Sequence, residues 1–255
     1  MQQPVVMVGV GEMGGVFARG FLRLGHPVYP VTRDMNIKEV AHAVPDPALV
    51  LITVAEKDLH PVLETIPEQW HNNLGLVQNE LLPRDWQSHG IEQPTVISVW
   101  FEKKKGQDFK VIIPSPVFGP RSQLIKSALE TLGIPCNVLG NDTELLYELV
   151  RKNVYILTTN IAGLETGGTV QTLWSQHQEI TRQVANNIID IQERLIGITC
   201  SRDQLINGMV EAFNGDPNHA CMGRSAPARL ARAIETADQF ELQVPKLRQL
   251  KLRYP

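Results

Sequence analysis

Val5-Val6-Met7-Val8-Gly9-Val10-Gly11-Glu12-Met13-Gly14 places a short apolar run directly before a glycine-patterned turn. The run is continuous rather than alternating, as expected of a strand buried on both faces of a parallel sheet. In the G-x-G-x-x-G that follows, Gly9 lets the chain turn sharply off the strand and Gly11 leaves room for a pyrophosphate against bare backbone. Gly14 lets the next helix lie close to the strand. Val16, Phe17, Phe21, Leu22 and Leu24 give that helix an apolar side, and Gly25 stands where a C-terminal glycine belongs. Phosphates would sit at the positive N-terminus of this helix. Gly9, Gly11, Glu12, Met13 and Gly14 are therefore the expected cofactor-binding residues.

The second strand bears on which dinucleotide is taken. Val28 to Thr32 follows the helix, and Thr32-Arg33 occupies the place where NAD enzymes put an Asp or Glu on the ribose 2′-hydroxyl. Asp34 comes one residue later. An arginine suits a 2′-phosphate, so Arg33 predicts NADP (NADPH) over NAD. Pro30 would cost an interior strand a ladder donor and suggests a bulge.

The chain has 255 residues, 43% hydrophobic and 20% charged, enough for one large core or two modest ones. A net charge of −3 gives no electrostatic case for nucleic acid or an anionic membrane as partner. Lys103-Lys104-Lys105 before Gly106 reads as a solvated hairpin tip. With no apolar stretch of spanning length and no secretory signal, the sequence predicts a cytoplasmic protein. Cys136, Cys200 and Cys221 are odd in number and widely spaced, which suggests neither disulfides nor a metal site.

Apolar runs recur at Leu49–Val54, Leu74–Val77 and Thr95–Val99 with helical or loop segments between them, the alternation of a doubly wound parallel sheet. Two further strands, Phe109–Ile113 and Cys136–Leu139, flank a helix from about Arg121 to Leu132. The pattern changes at Gly140. Asn141-Asp142-Thr143-Glu144 is a helix start, and Leu145–Leu164, Val170–Ile196, Arg202–Phe213 and Ala226–Phe240 carry helical periodicity with almost no strand character. The expected architecture is an α/β Rossmann-type domain over 1–140 and an all-helical domain over 141–255 serving substrate binding and dimerisation. Long apolar faces on Val170–Ile196 and Ala226–Phe240 suggest a homodimer.

In such chains ligands bind beyond the carboxyl ends of the strands, and the helical domain must supply the acid. Lys152 and Asn160 stand eight residues apart in one helical segment, about 12 Å of rise and about 80° around. A lysine on a helix is ordinarily a solvated charge. In a desolvated or cationic setting it can instead protonate a carbonyl oxygen that receives hydride.

These features together resemble the ketopantoate reductase (2-dehydropantoate 2-reductase) family of the 6-phosphogluconate-dehydrogenase-like group. The resemblance runs in order through Gly9-x-Gly11-x-x-Gly14, Arg33, Gln78-Asn79, Gly119-Pro120 and Arg151-Lys152 with Asn160. Lys152 and Asn160 match the first and last members of that family's K-x-x-x-N-x-x-x-N. The resemblance implies that Lys152 is the general acid, that Asn160 contacts substrate, and that Asn79 holds the nicotinamide ribose or the substrate. Ala220-Cys221-Met222 is similar to the family's S-S-M, which would put Cys221 at a substrate-contacting serine.

The departures fall on the substrate side. Ile156 replaces the middle asparagine, Glu80 a glycine, and Ala55 a lysine for which Lys57 is a shifted substitute. The T-E-[IL]-D segment is missing, and Glu235 is the nearest stand-in for its glutamate. Two readings follow: an NADPH-dependent reductase of a small 2-keto acid or related ketone, and an NADP-binding sensor or interaction protein that has lost catalysis. His219, beside Cys221, is expected to be solvated or satisfied locally, and Trp100 and Phe101 to be core.

Overall fold

The computed structural model describes residues 2–254. In chain order its elements are β1 (Val5–Val8), α1 (Glu12–Arg23), β2 (Val28–Val31), α2 (Ile37–Ala43), β3 (Leu49–Ile52), α3 (Leu59–Leu63), β4 (Leu74–Leu76), α4 (Pro83–Gln87) and β5 (Thr95–Ile97). There follow β6 (Phe101–Lys103), β7 (Phe109–Val111), β8 (Ser115–Phe118), α5 (Ser122–Glu130) and β9 (Cys136–Val138). The rest is helical: α6 (Asp142–Thr166), α7 (Val170–Gln176), α8 (Gln178–Ile196), α9 (Arg202–Gly215), α10 (Ala226–Gln239) and α11 (Pro245–Arg253). The chain divides into two compact units, 1–149 and 150–255.

The first unit holds a seven-stranded sheet in the order β2-β1-β3-β4-β5-β8-β9. β1 to β5 are parallel to one another. Consecutive strands β2 and β3 flank β1 on opposite sides, so the order reverses between β1 and β3, and a ligand crevice opens at such a point. Val5, Met7, Leu49 and Leu51 join Phe17, Phe21, Ile125 and Leu129 in one core. Their alternates Val6, Val8, Val50 and Ile52 are equally buried on the other face. Burial on both faces is why these strands read as unbroken apolar runs. Gly20 lets α1 pass close to α5, since a Cβ there would lie 2.5 Å from the Ala128 carbonyl oxygen.

Three details differ from the sequence reading. Pro30 marks no bulge: on β2, an edge strand, it pairs in register with Met7 of β1, and its missing N–H costs no ladder bond. The expected strand at Phe109–Ile113 leaves the main sheet to form a hairpin with β6, and its place beside β5 is taken by β8, running antiparallel. Pro114 and Pro116 hid β8, because proline argues against a strand. Lys103 is not solvated at the tip; its side chain is 18% exposed and its ammonium lies 3.1 Å from the Glu12 carboxylate.

From α6 onward the helix starts follow the sequence closely. Asn141 Oδ1 accepts from the Glu144 N–H at 3.0 Å and its Nδ2 donates to the Glu144 carboxylate at 2.9 Å, a reciprocal cap for α6. Thr169 and Ser201 cap α7 and α9 with their hydroxyls. The expected single helix over Val170–Ile196 is two, parted at His177. α11 escaped notice because it buries only Leu247 and Leu250. Among the described residues no helix is long and apolar enough to cross a membrane.

Candidate nucleotide pocket and buried lysine

A cavity of about 810 Å³ opens at the carboxyl ends of β1, β2 and β3, lined among others by Gly9, Gly11, Arg33, Lys38, Thr53 and Asp58. The three glycines of the first turn are held there for three different reasons. Gly9 has φ of 89°, a left-handed conformation that side-chain-bearing residues avoid. A Cβ on Gly14 would lie 2.5 Å from the Gly9 carbonyl oxygen and 2.7 Å from Thr53 Oγ1, so the helix start could not approach the strand. A Cβ on Gly11 would meet nothing within 4 Å. That open space lies at the start of α1, where the first intrahelical bond is Gly15 N–H to the Gly11 carbonyl at 2.9 Å. The N–H groups of Glu12, Met13 and Gly14 precede it and so lack intrahelical acceptors. Free donors, a helix N-terminus and an unfilled space fit the pyrophosphate of a dinucleotide. Glu12, an acid in this first turn, has its charge offset by Lys103.

The pocket walls are tied together by side chains. Thr53 Oγ1 donates to the Val8 carbonyl at 3.3 Å and to that of Gly9, clamping β3 to the glycine turn. Gln78, buried, donates from Nε2 to the carbonyls of Ile52 at 2.8 Å and Val54 at 3.3 Å and fixes the ends of β3 and β4. Asn79 beside it is half-buried, and Glu80 takes φ of 60°, the conformation that makes glycine the natural residue there. At the rim, Arg33 is 85% exposed in its side chain and its Nη2 lies 3.2 Å from Asp58 Oδ2. Asp34 does not line the cavity; Ala55 does, and Lys57 does not.

Two neighbouring cations of α6 are buried. Lys152 is 8% exposed and its neighbour Arg151 7%. The Arg151 guanidinium donates to the Gly208 carbonyl at 3.0 Å and pairs with Glu211 at 3.0 Å. The Lys152 ammonium sits 5.8 Å above the Tyr155 ring. Burial, then the positive charges of Arg229 and Arg151, push the Lys152 amine down from 10.5 to about 7.

Asn160 lies two turns further on. Its Nδ2 donates to the Ile156 carbonyl at 2.9 Å, and its Oδ1 accepts from the Gly223 N–H at 3.3 Å. This ties the 221–223 segment to α6. Cys221 packs there against Gly163, whose missing Cβ would stand 2.9 Å from the Cys221 Cβ. At 1% exposure, with its thiol pushed up to about 11 by burial, Cys221 has the environment of a packing residue.

No protein-family model matches the sequence, and no curated protein matches it. Solved structures match it along nearly its full length. A 2-dehydropantoate 2-reductase from Methylococcus capsulatus superposes with a TM-score of 0.70 at 13% identity, covering 98% of this chain and 95% of its own. A dimeric ketopantoate reductase from Staphylococcus aureus gives 0.63 at 15%, covering 98% and 97%. The chain has the ketopantoate reductase fold. D-mandelate dehydrogenase in complex with NADH shares it, with a TM-score of 0.66 at 11% identity and 98% and 97% coverage.

Within the ketopantoate reductase fold the chain departs from the pattern its sequence resembled. Glu235 is exposed on α10, so it is no buried counterpart of the missing glutamate. The same helix instead presents Arg229, 8% exposed, whose charge bears on Lys152. Sequence reasoning missed Arg229 because an arginine on an amphipathic helix reads as a surface charge. It missed Asp58 because the search for a ribose acceptor stopped at the end of the second strand. His219 pairs locally with Asp216 at 3.6 Å, and Trp100 and Phe101 are core, at 0% and 4% exposure.

Proposed function

We propose that this chain is an NADPH-dependent reductase of a small 2-keto acid or related ketone, with residues 1–140 holding the nucleotide and 141–255 the substrate. The observation that carries this reading is Lys152: a buried amine with a pKa near 7 is poised to give up a proton near neutral pH. Bound at the Gly9–Gly14 turn, a nicotinamide nucleotide supplies hydride to the carbonyl carbon. The chain's own part is to hold Lys152 so that its ammonium donates a proton to the carbonyl oxygen as the C=O electron pair moves there. The amine is then reprotonated from water. Arg33 at the cavity rim supports NADPH, through a charge-assisted contact to the 2′-phosphate. Asn160 supports the substrate side by pinning the 221–223 segment, and Asn79, half-buried at the end of β4, supports the nicotinamide end.

The test is a panel of 2-keto acids with NADPH oxidation followed by absorbance. Some member should turn over, and Lys152→Ala should lower that rate by about 10²–10⁴ while nucleotide affinity is kept. The exposed Glu235 favours a second reading, a nucleotide-binding protein without reductase activity. It takes the lead if NADPH binds tightly and no ketone is reduced. The dimeric neighbour supports a homodimer for this chain as well; light scattering at single-chain mass would overturn it.

A further inference from the structure

The sequence offers no acid at the end of β2, where a ribose acceptor is expected, and in the structure Asp34 stays outside the cavity. An acid nevertheless reaches that cavity from the turn after another strand. Asp58 lies in the turn between β3 and α3, lines the same space as Gly11 and Arg33, and holds the Arg33 guanidinium at 3.2 Å. Its carboxylate makes no cap to α3. The acid is therefore not engaged in starting the helix it precedes. Lys38, at the start of α2, also lines the cavity.

We infer that Asp58 is a specificity-determining residue of this nucleotide site, supplying from the turn after β3 the ribose acceptor that β2 lacks and restraining the NADP preference conferred by Arg33. The inference rests on the nucleotide reading above. A carboxylate accepts hydrogen bonds from ribose hydroxyls while it remains paired with Arg33. A 2′-phosphate, carrying a charge of about −1.5 to −2, instead competes with Asp58 for Arg33 and lies beside its carboxylate. Like charges about 5 Å apart at a solvated rim cost on the order of a tenfold change in affinity. Losing a charged acceptor for a hydroxyl costs about as much in the other direction.

The two nucleotides should therefore respond to Asp58→Asn with opposite signs. Fluorescence titration of the full chain should show NADPH binding about tenfold tighter and NADH binding about tenfold weaker than in the wild type. Arg33→Ala should weaken NADPH about tenfold and leave NADH nearly unchanged. An unchanged NADPH to NADH ratio in Asp58→Asn overturns the inference and leaves the nucleotide reading standing, as does a parallel rise or fall of both affinities. Failure of the wild-type chain to bind either nucleotide overturns the nucleotide reading itself. Thermal melts of each variant, matched to wild type, show that the fold is intact.

Discussion

Replacing Lys152 by methionine keeps a long apolar stem in place and removes the amine, so the pH-dependent part of the stability difference reports what the buried charge costs. The amine has its ordinary value of 10.5 in the unfolded chain and about 7 in the folded one. Below about pH 7 both states hold the proton and the penalty is complete, on the order of 5 kcal/mol at 1.36 kcal/mol per unit. Between these values the unfolded chain binds more protons than the folded one, so stability rises with pH. From pH 7 to pH 9.5 the wild type should regain about 3 kcal/mol that Lys152→Met never lost. For a chain of this size that is about 6–12 °C in thermal midpoint. The assay is circular dichroism melting of both proteins across this range, because groups common to both cancel in the difference. Lys152→Met should melt higher at pH 7, with the gap closing toward pH 9.5. A gap that stays constant over that interval would falsify the claim that the amine is desolvated. In the same range the reductase rate of the wild type should fall as pH rises through about 7, as the acid form disappears.

Gly11→Ala should fold and melt like the wild type yet lose nucleotide binding, since its methyl enters open space reserved for phosphate, whereas Gly14→Ala should lower the thermal midpoint by the equivalent of about 1–3 kcal/mol through its clash with the Gly9 carbonyl. Titration and melting of the pair separate the two roles; equal melting behaviour would contradict the geometry. Asn160→Ala frees Gly223 from α6 and should cost about 1–2 kcal/mol while leaving NADPH affinity unchanged, checked by denaturation and fluorescence titration. Thiol labelling of the native protein at pH 8 should reach Cys200 first, because Cys136 and Cys221 are buried with their thiols pushed up to about 12 and about 11. Rapid labelling of all three before unfolding would show the cores to be open.

Sequence alone determined the elements whose signals are local. The run Val5–Val8 with its three glycines announced strand, turn and helix because the positive φ of Gly9 and the approach of Gly14 to the Gly9 carbonyl arise within ten residues, and the apolar runs at β3, β4 and β5 betrayed strands covered on both faces. Asn141 to Glu144 marked the start of α6 because a cap is a contact between residues three apart. Lys152 was legible as a candidate from spacing and resemblance. Its burial beside Arg229 was not, because nothing local tells an arginine 77 residues away whether it will be solvated or will press on a lysine.

Tertiary structure decided what depends on neighbours distant in sequence. Pro30 is harmless because β2 is an edge strand, and edge position is a property of the whole sheet. β8 entered the sheet despite Pro116 because β5 and β9 offered ladders on either side. Asp58 reaches the cavity from the turn after β3 because β2 and β3 both flank β1, which brings it within reach of Arg33 across 25 residues of chain. Periodicity and turn chemistry act over a few residues and are written in the sequence. Pairing partners, desolvation and the meeting of charges exist only once the chain has closed on itself.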